Sequence, residues 1–475
     1  MITLRPYQTE MIDRTRVALR QYRSVLLQAP TGAGKTALSA AMTGTATGKG
    51  LRTLFICHRV ELITQTAETF DKVGIYYGFC SAGMPYNPNA AALVCGIDTL
   101  KNRLKDVGKR DLIIWDEAHH TAAAGWRKVR EFFPDAWHVG LTATPERLDG
   151  KGLDDLYDTL VLGPSVKSLI DDGYLCKYRA FAPSRPQLGQ VKKLGGDYNK
   201  GQLTEVMDGP SITGDAIAHY QKHAAGKRAV AFCTSVAHSE HVAQQFRAAG
   251  VPAVALDGTT DRVVRAAALA RFRRGEIHVL CNVDLFGEGF DLPAIEAAIL
   301  LRPTQSLALF LQQVGRALRP VPGKDHAIIL DHAGNIMEHG LPDDERDWTL
   351  QGKKGRKKKG EDEEKVRQCG ECFHCHEPAP ACPECGYVYP RAKPRQIEEV
   401  AGELEEIDQE QLRAQRKREQ AMAVTVEDLV KLATAKGYKN PAKWAAHIWT
   451  ARQAKAGARR GPPTPPLEAY MNGMR

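Results

Sequence analysis

The run APTGAGKT, residues 29–36, decides the fold of this chain. An apolar run, VLLQ at 25–28, precedes it, and a helix-forming run, ALSAAM at 37–42, follows it. A strand, a glycine-bearing turn and a Lys-Thr pair that opens a helix form the context of a phosphate-binding loop. Ala29 stands where the general pattern has glycine, but the flanking runs are those that such a loop requires. The stretch therefore predicts an α/β domain that binds a nucleotide.

Each residue type in this loop has a chemical task. Gly32, Ala33 and Gly34 allow successive backbone N–H groups and the helix N-terminus to point at one anion. Lys35 is expected to reach the β- and γ-phosphates, and the Thr36 hydroxyl to ligate Mg²⁺. The predicted cofactors at this loop are therefore ATP and Mg²⁺.

Length and composition bound the class of protein. The chain has 475 residues, enough for about three domains that each bury a core. Hydrophobic residues make up 43% and charged residues 25%, a balance typical of soluble globular proteins. No apolar run approaches the roughly 18 residues of a membrane span, and the N-terminus does not resemble a signal peptide, which predicts a cytoplasmic protein without membrane contact. The net charge of +9 favours a polyanionic partner.

Two carboxylates follow the apolar run LIIW at 112–115. Asp116 and Glu117 begin the run DEAH at the carboxyl end of this predicted buried strand, the edge at which open α/β sheets place their ligands. Asp116 is therefore expected to hold Mg²⁺, and Glu117 to orient or deprotonate the water that attacks the γ-phosphate. A third motif, TATP at 142–145, follows another apolar run.

Strand-like apolar runs alternate with helical stretches in two separate blocks. Such alternation predicts, in each block, a parallel sheet covered by helices on both faces. The first block has its runs at 25–28, 52–57, 92–95, 112–115 and 138–141, and the second block at 229–233, 253–256, 277–281, 297–301 and 327–330. The second block has no phosphate loop, so we expect it to act on the nucleotide that the first block holds.

Two stretches of the second block fit that task. Gly289 permits close approach of the backbone to a nucleotide, and Asp291 is expected to meet the ribose. Arg316 and Arg319 lie three residues apart, which places them on one face of a helix. A lone G-R-x-x-R pattern is usually a solvated helix face. After a complete first block, however, we weigh it towards function, because its similarity to an arginine-finger motif implies that it stabilises charge on the γ-phosphoryl oxygens.

These motifs resemble those of the superfamily 2 helicases of the DEAD/DEAH-box type. The resemblance covers residues 1 to about 335 and implies two RecA-like domains with ATP in the cleft between them. LRPYQ at 4–8 is similar to the adenine-reading motif, which implies that Arg5 and Gln8 contact the base. Arg316 and Arg319 resemble arginine fingers. The resemblance also implies coupling roles for His119, Thr142, Thr144 and Gln312, and nucleic-acid contacts by His58, Arg59, Thr99, Thr234 and Ser235.

Five of the 11 cysteines crowd between positions 369 and 385, which in a cytosolic chain indicates a metal rather than disulfides. Paired C-x-x-C spacing predicts a four-thiolate Zn²⁺ site. Five cysteines compete for the four positions, and the second pair forms a tight C-P-x-C-G knuckle. The favoured set is Cys372, Cys375, Cys382 and Cys385. Two alternatives remain open: Cys369 in place of Cys372 or Cys375, and His374 or His376 as a ligand.

Composition shifts divide the chain into segments. The predicted order is a first RecA-like domain at 1–172, a linker or excursion at 173–213, a second RecA-like domain at 214–335, a charged linker at 336–367, a zinc knuckle at 368–390, a charged helix at 391–423 and a helical module at 424–475. Basic and aromatic residues interleave in the last module, which suits nucleic-acid contact, although packing of a small aromatic core explains them as well. The knuckle and the tail resemble the RadD-like branch of bacterial and phage helicases.

These features together predict a nucleic-acid-dependent ATPase that moves along or unwinds DNA, with RNA as a remaining alternative substrate. The C-terminal tail is expected to dock the motor on DNA or on a DNA-bound protein. Two rival interpretations come from other classes of protein. One is a zinc-containing DNA-binding regulator that uses ATP as a conformational switch, and the other is the motor subunit of a nuclease or restriction assembly.

Overall fold

The computed structural model describes residues 3–147, 150–182, 193–194, 197–198, 202–203, 207, 210–283, 295–352, 366–389, 418–420, 422–436 and 440–457. The chain forms two compact units, residues 1–390 and residues 391–475. Gly289 and Asp291, the charged stretch at 353–365 and most of the predicted charged helix at 391–423 lie outside the described residues.

A seven-stranded, all-parallel sheet forms the first domain, and its strand order is β3-β4-β2-β5-β6-β1-β7. Its strands are β1 (Ser24–Gln28), β2 (Thr53–Cys57), β3 (Tyr77–Cys80), β4 (Ala92–Gly96), β5 (Leu112–Trp115), β6 (Trp137–Thr142) and β7 (Thr159–Leu162). Successive side chains of a strand point to opposite faces, so Val25 and Leu27 enter one apolar cluster and Leu26 enters another. All five predicted strands of the first block are confirmed.

Helices cover both faces of this sheet. They are α1 (Pro6–Ala18), α2 (Lys35–Gly48), α3 (Val60–Val73), α4 (Ile97–Leu100), α5 (Ala124–Phe132) and α6 (Val166–Asp171), with a 3₁₀ turn at Ala118–Ala122. Helix α2 starts directly after the phosphate loop, and α3 starts directly after β2, so both N-termini lie at the carboxyl edge of the sheet. That edge is where the motifs meet.

The second domain contains a six-stranded, all-parallel sheet with the order β12-β13-β11-β14-β15-β8. Its strands are β8 (Lys177–Phe181), β11 (Ala229–Phe232), β12 (Ala253–Leu256), β13 (Val279–Asn282), β14 (Ala297–Leu300) and β15 (His326–Asp331), and a separate short pair consists of β9 (Lys193–Leu194) and β10 (Asp197–Tyr198). The helices are α7 (Pro210–His223), α8 (Val236–Ala248), α9 (Arg262–Arg273), α10 (Leu307–Ala317) and α11 (Asn335–His339). The predicted fold class, two RecA-like parallel-sheet domains in tandem, is confirmed.

One strand of the second sheet comes from the stretch predicted as a linker. β8 lies within 173–213, yet it pairs in parallel with β15 along its whole length, from Lys177 opposite His326 to Phe181 opposite Leu330. The stretch predicted as a linker or excursion therefore contributes an edge strand to the second sheet. Its sequence, KYRAF, is half polar because an edge strand is only partly buried, and it therefore lacks the apolar run that marks central strands.

The stretch predicted as a charged linker at 336–367 makes ordered contacts in its first part. After α11, residues 341–352 return to the first domain, and we call this segment the strap. The carbonyl of Leu350 accepts hydrogen bonds from the N–H groups of Leu153 (2.7 Å) and Asp154 (3.2 Å), and its side chain packs on an apolar cluster of the first domain. Gly152 and Gly352 allow this close approach, because a Cβ on Gly152 would lie 2.1 Å from the Leu350 oxygen. The two domains are thus joined by a second crossing of the chain.

The remaining described elements lie beyond the strap. A small hairpin consists of β16 (Arg367–Gln368) and β17 (Cys375–His376). In the second unit, α12 (Val426–Ala435) and α13 (Pro441–Gly457) pack against each other around Leu429 and Ala445. None of the helices in the described ranges has both the length and the apolar character that crossing a bilayer demands.

Candidate active site and metal centre

The phosphate loop has the backbone that its glycines predict. Gly32 and Gly34 have φ values of +92° and +84°, in the left-handed region that side chains rarely adopt. The space around Gly34 is also filled, because a Cβ on this residue would lie 2.5 Å from the side-chain amide nitrogen of Gln8. Larger residues at these positions would therefore distort the turn that aims the backbone N–H groups at an anion.

The start of α1 is tied to this loop. The Gln8 side-chain amide donates to the Ala33 carbonyl (2.9 Å), and the Tyr7 hydroxyl donates to the same oxygen (3.0 Å). The side-chain Oε1 of Gln8 accepts a hydrogen bond from the Arg5 backbone N–H (3.0 Å). The Arg5 guanidinium lies over the ring of Tyr174, 4.9 Å from its centroid. Sequence reasoning missed Tyr7 and Tyr174, although Tyr7 belongs to the LRPYQ motif itself.

The two carboxylates stand at the end of β5, beside the loop. Glu117 has a φ of +47°, an uncommon conformation for a residue with a side chain, and its Oε1 lies 3.0 Å from the Lys35 ammonium. Asp116 is fully buried, and its burial together with the neighbouring Glu117 carboxylate raises the pKa of Asp116 to about 6. A divalent cation would offset that cost, as expected for a residue placed to hold Mg²⁺.

Three of the four predicted coupling residues, His119, Thr142 and Thr144, form a chain of contacts that begins at Glu117. Its Oε2 lies 3.6 Å from His119 Nδ1, and the same nitrogen lies 3.4 Å from the Thr142 hydroxyl. The Thr142 hydroxyl donates to the Thr144 carbonyl (2.7 Å), so the proton shared with His119 resides on Nδ1. His119 Nδ1–H therefore points toward both Glu117 and Thr142.

The second domain completes the cleft. A cavity of about 350 Å³ is bounded by loop residues, both carboxylates, Gln312, Arg316 and Arg319. Helix α10 approaches the loop closely, because a Cβ on Gly315 would lie 2.6 Å from Thr31 Cβ. Gly315 was not identified from the sequence, although it is the glycine of the G-R-x-x-R pattern. The structure thus places two arginines of one domain and the phosphate loop of the other around a single space.

The residues predicted to contact nucleic acid follow strands at the carboxyl edges of both sheets. His58 and Arg59 follow β2, and Thr99 lies in the short helix after β4. The Thr99 hydroxyl accepts the Ala82 N–H (3.0 Å). In the second domain, the Ser235 hydroxyl caps α8 by accepting the His238 N–H (3.2 Å), and Thr234 Oγ1 lies 2.8 Å from His238 Nδ1.

Four thiols converge in the cysteine-rich segment. Two Sγ–Sγ distances, Cys369 to Cys385 and Cys372 to Cys382, are both 3.7 Å, and all four sulfurs lie within 4.8 Å of one another. Zn–S bonds of about 2.3 Å in a tetrahedron place the sulfurs about 3.8 Å apart. The sulfur positions therefore fit a zinc ion.

The four converging cysteines differ from the favoured set and match the alternative in which Cys369 replaces Cys375. Cys369 takes part and Cys375 does not, because the Cys375 thiol is turned toward the Phe373 carbonyl (3.8 Å) and packs in the apolar core. Two similar turns explain this choice. In one, the N–H of Phe373 donates to Cys369 O (3.1 Å), and in the other the N–H of Gly386 donates to Cys382 O (2.9 Å).

Both turns place the residue after the second cysteine in the left-handed region, Phe373 at +60° and Gly386 at +76°. The first turn could not be recognised from the sequence, because Phe373 stands at a position where glycine is the usual residue.

The segment 366–389, which we call the knuckle, also docks on the second domain. The N–H of Ala182 donates to the Phe373 carbonyl (3.1 Å), and Arg179 of β8 forms an ion pair with Glu384. The knuckle thereby covers the edge strand β8.

Comparisons with known proteins agree with this architecture. Residues 1–147 match the family described as type III restriction enzyme, res subunit, and residues 213–321 match the helicase conserved C-terminal domain. The chain is similar to a 51.5 kDa protein of a Lactococcus phage (isolate 7-9), with 36% identity over 392 residues that cover 82% of this chain and 83% of that protein.

Two further relatives carry functional names. The putative ATP-dependent helicase IRC3 of Saccharomyces cerevisiae is 28% identical over 70% of this chain and 51% of its own length. The DNA 3'-5' translocase XPB2 of Sulfurisphaera tokodaii is 26% identical over 67% of this chain and 79% of its own length. Among solved structures, a fragment of a putative HsdR subunit of a type I restriction enzyme from Vibrio vulnificus shares the fold, with a TM-score of 0.58 and 22% identity over 72% of this chain and 67% of that one. With both conserved domains matched in order around a composite nucleotide cleft, this chain belongs to the superfamily 2 helicases.

Proposed function

We propose that this chain is an ATP-driven motor that translocates on DNA or unwinds it. One observation carries the proposal: Lys35 and Glu117 of the first domain and Arg316 and Arg319 of the second border the same cavity. Residues from two domains that share one nucleotide can couple hydrolysis to relative movement of those domains.

The side chains of the cleft have separable roles. Thr36 and Asp116 would hold Mg²⁺, which neutralises charge on the phosphates when it is bound. Lys35 pairs with Glu117 in the structure, and arriving phosphates would draw the ammonium away from the carboxylate. Glu117 would then be available to orient the attacking water, and the two arginines would stabilise charge that builds on the γ-phosphoryl oxygens.

DNA is the proposed substrate. The relative from Sulfurisphaera tokodaii is described as a DNA translocase. The chain also carries a net charge of +9. Contacts made by residues at the carboxyl edges of the two sheets would track the backbone of a strand without reading its sequence.

The zinc ion that the knuckle would bind is proposed to be structural. Four thiolates leave no open position for a substrate. The knuckle instead covers the edge of the second sheet, where Glu384 contacts Arg179 of β8 and Phe373 contacts Ala182 directly after it. Its proposed role is to stabilise the second domain rather than to take part in hydrolysis.

The deciding experiment measures ATP hydrolysis with single-stranded DNA, duplex DNA, branched DNA and RNA, and scores strand separation in parallel. We expect DNA to stimulate hydrolysis more than RNA does. Glu117→Gln is the control: it should still bind ATP with Mg²⁺ but lose on the order of 10² to 10⁴ in turnover. Greater stimulation by RNA, or near-normal turnover of Glu117→Gln, would contradict the proposal.

A second candidate is the motor subunit of a restriction assembly. It is favoured by the res-subunit description of the first family match and by a type I restriction enzyme EcoAI endonuclease subunit of Escherichia coli, 25% identical over 66% of this chain. The chain spans 44% of the length of that relative. ATP-dependent displacement of a third strand from duplex DNA, without strand separation, would favour this candidate.

A further inference from the structure

Three imidazole rings pack in a row beside the catalytic carboxylate, with neighbouring rings tilted at 56° and 41° to each other, and we call this row the ring stack. His58 and His120 have centroids 4.6 Å apart, and His120 and His119 have centroids 4.3 Å apart. The stack is possible because β2 and β5 are adjacent, with Ile56 opposite Trp115, so the residues that follow each strand emerge side by side.

One end of this stack reaches the hydrolytic site. His119 Nδ1 lies 3.6 Å from Glu117 Oε2 and 3.4 Å from the Thr142 hydroxyl. Glu117 has a left-handed backbone conformation, so contacts with its neighbours set the position of its carboxylate. A shift of His119 would therefore change how Glu117 orients water.

The other end of the stack reaches the predicted nucleic-acid track. The Arg59 guanidinium donates to His58 Nε2 (3.3 Å). Two residues further along, Glu61 accepts a hydrogen bond from Arg265 of the second domain (2.9 Å). The segment 58–61 thus contacts the ring stack on one side and the second domain on the other.

We propose that His120 is a positioning residue that transmits nucleic-acid contact at His58 and Arg59 to Glu117 through His119. This inference rests on the proposed function, because it needs a hydrolytic site that responds to nucleic acid. Packed rings have few alternative arrangements, so displacement of His58 forces His120 and then His119 to move. His120 also stacks on Trp126, with centroids 6.1 Å apart, which anchors its far side to the core.

The test compares His120→Ala and His120→Phe with the wild type, and uses His278→Ala as the matched control. His278 is half-buried just before β13, at the amino edge of the second sheet, and therefore far along the strands from the carboxyl edge. Each protein is assayed for the kcat and KM of ATP hydrolysis with and without single-stranded DNA, for DNA affinity, and for thermal unfolding.

In His120→Ala we expect the DNA-stimulated kcat to fall about tenfold. The basal kcat should fall by less than about threefold, and the KM for ATP should change by less than about twofold. His120→Phe keeps a ring against His58 and should recover most of the stimulation. His278→Ala should match the wild type. A merely structural role of His120 would lower the basal and the stimulated kcat equally.

The other outcomes contradict either the inference alone or the proposed function as well. If the wild type is stimulated by DNA and His120→Ala is stimulated to the same degree, or if both rates fall equally, the inference fails while the proposed function stands. If the wild type hydrolyses no ATP with any nucleic acid, the proposed function fails, and the inference fails with it. If His120→Ala does not fold, His120→Phe provides the test, because it keeps a ring against His58. Loss of stimulation in this folded variant would overturn the inference.

Discussion

At the residue scale, close contacts between side chains and backbone determine how the cleft works. Glu117 is held by Lys35 and His119, and Asp116 is fully buried beside it. On the opposite wall, Gly315 lies against Thr31 with no room for a methyl group. We therefore propose that hydrolysis requires the two domains to approach as closely as they do here.

Gly315→Ala tests that approach. The added Cβ would lie 2.6 Å from Thr31 Cβ, so the cleft should no longer close fully. We expect ATP to bind almost normally, because the phosphate loop is intact, and the DNA-stimulated kcat to fall on the order of 10- to 100-fold. Gly48→Ala is the control, since a methyl there meets no atom within 4 Å. Normal turnover of Gly315→Ala would mean that hydrolysis does not need this contact.

His138 gives a second residue-scale prediction, on pH. Trp115 Nε1 donates to His138 Nδ1 (3.2 Å), so Nε2 carries the proton and donates to the Phe133 carbonyl (3.1 Å). Burial, and then the nearby Arg130, lowers the pKa of His138 to about 4. The unfolded chain, with a pKa near 6.5, binds a proton that the folded chain does not, so stability falls as the pH drops through this window.

The expected loss is on the order of 2 kcal/mol of unfolding free energy at pH 5 relative to pH 7.5. Denaturation midpoints measured across this range for the wild type and for His138→Gln provide the check. The variant should have a shallower dependence on pH. Parallel profiles would show that His138 is not the group responsible.

At the scale of elements, two similar turns of the knuckle bring four of its five cysteines together. Cys369 and Cys382 begin these turns, and Cys372 and Cys385 end them, whereas Cys375 lies in β17 and faces the core. The second turn, with Gly386, was recognisable in the sequence. The first was not, because Phe373 occupies the left-handed position.

Metal content separates the two ligand sets. The purified wild type should hold one zinc per chain, Cys369→Ser should lose most of it, and Cys375→Ala should keep it. Thermal unfolding of Cys369→Ser should begin at lower temperature, because β8 loses the cover of the knuckle. Retention of zinc by Cys369→Ser together with its loss from Cys375→Ala would restore the set favoured on sequence grounds.

At the scale of the whole molecule, the strap and the knuckle belong to the motor unit, which ends at residue 390. A boundary at residue 335, where the composition shift places it, would remove Leu350 and its contacts with the first domain. Residues 391–475 form the separate unit and are the segment proposed to dock the motor on DNA or on a DNA-bound protein.

Truncation after residue 390 is therefore the informative deletion. ATP binding and basal hydrolysis should persist, while the DNA concentration needed for stimulation rises and its salt dependence becomes flatter, because basic contacts are lost. Truncation after residue 340 should also lower the unfolding temperature, since it removes the strap and the knuckle. Equal DNA dependence of the 1–390 protein and the full chain across a salt series would exclude a docking role for the tail.

The sequence by itself determined the features that local patterns encode. The phosphate loop, the carboxylates after β5, the ten predicted strands and the existence of a cysteine site all depend on residues close together in the chain. Tertiary structure decided the rest. The edge strand β8 is stable only because β15 and the knuckle flank it, and the strap is ordered by Leu153 and Asp154, almost 200 positions away in sequence (350 − 153 = 197). Contacts of this kind leave no periodic signal, because neither partner needs a special composition until folding brings the two together.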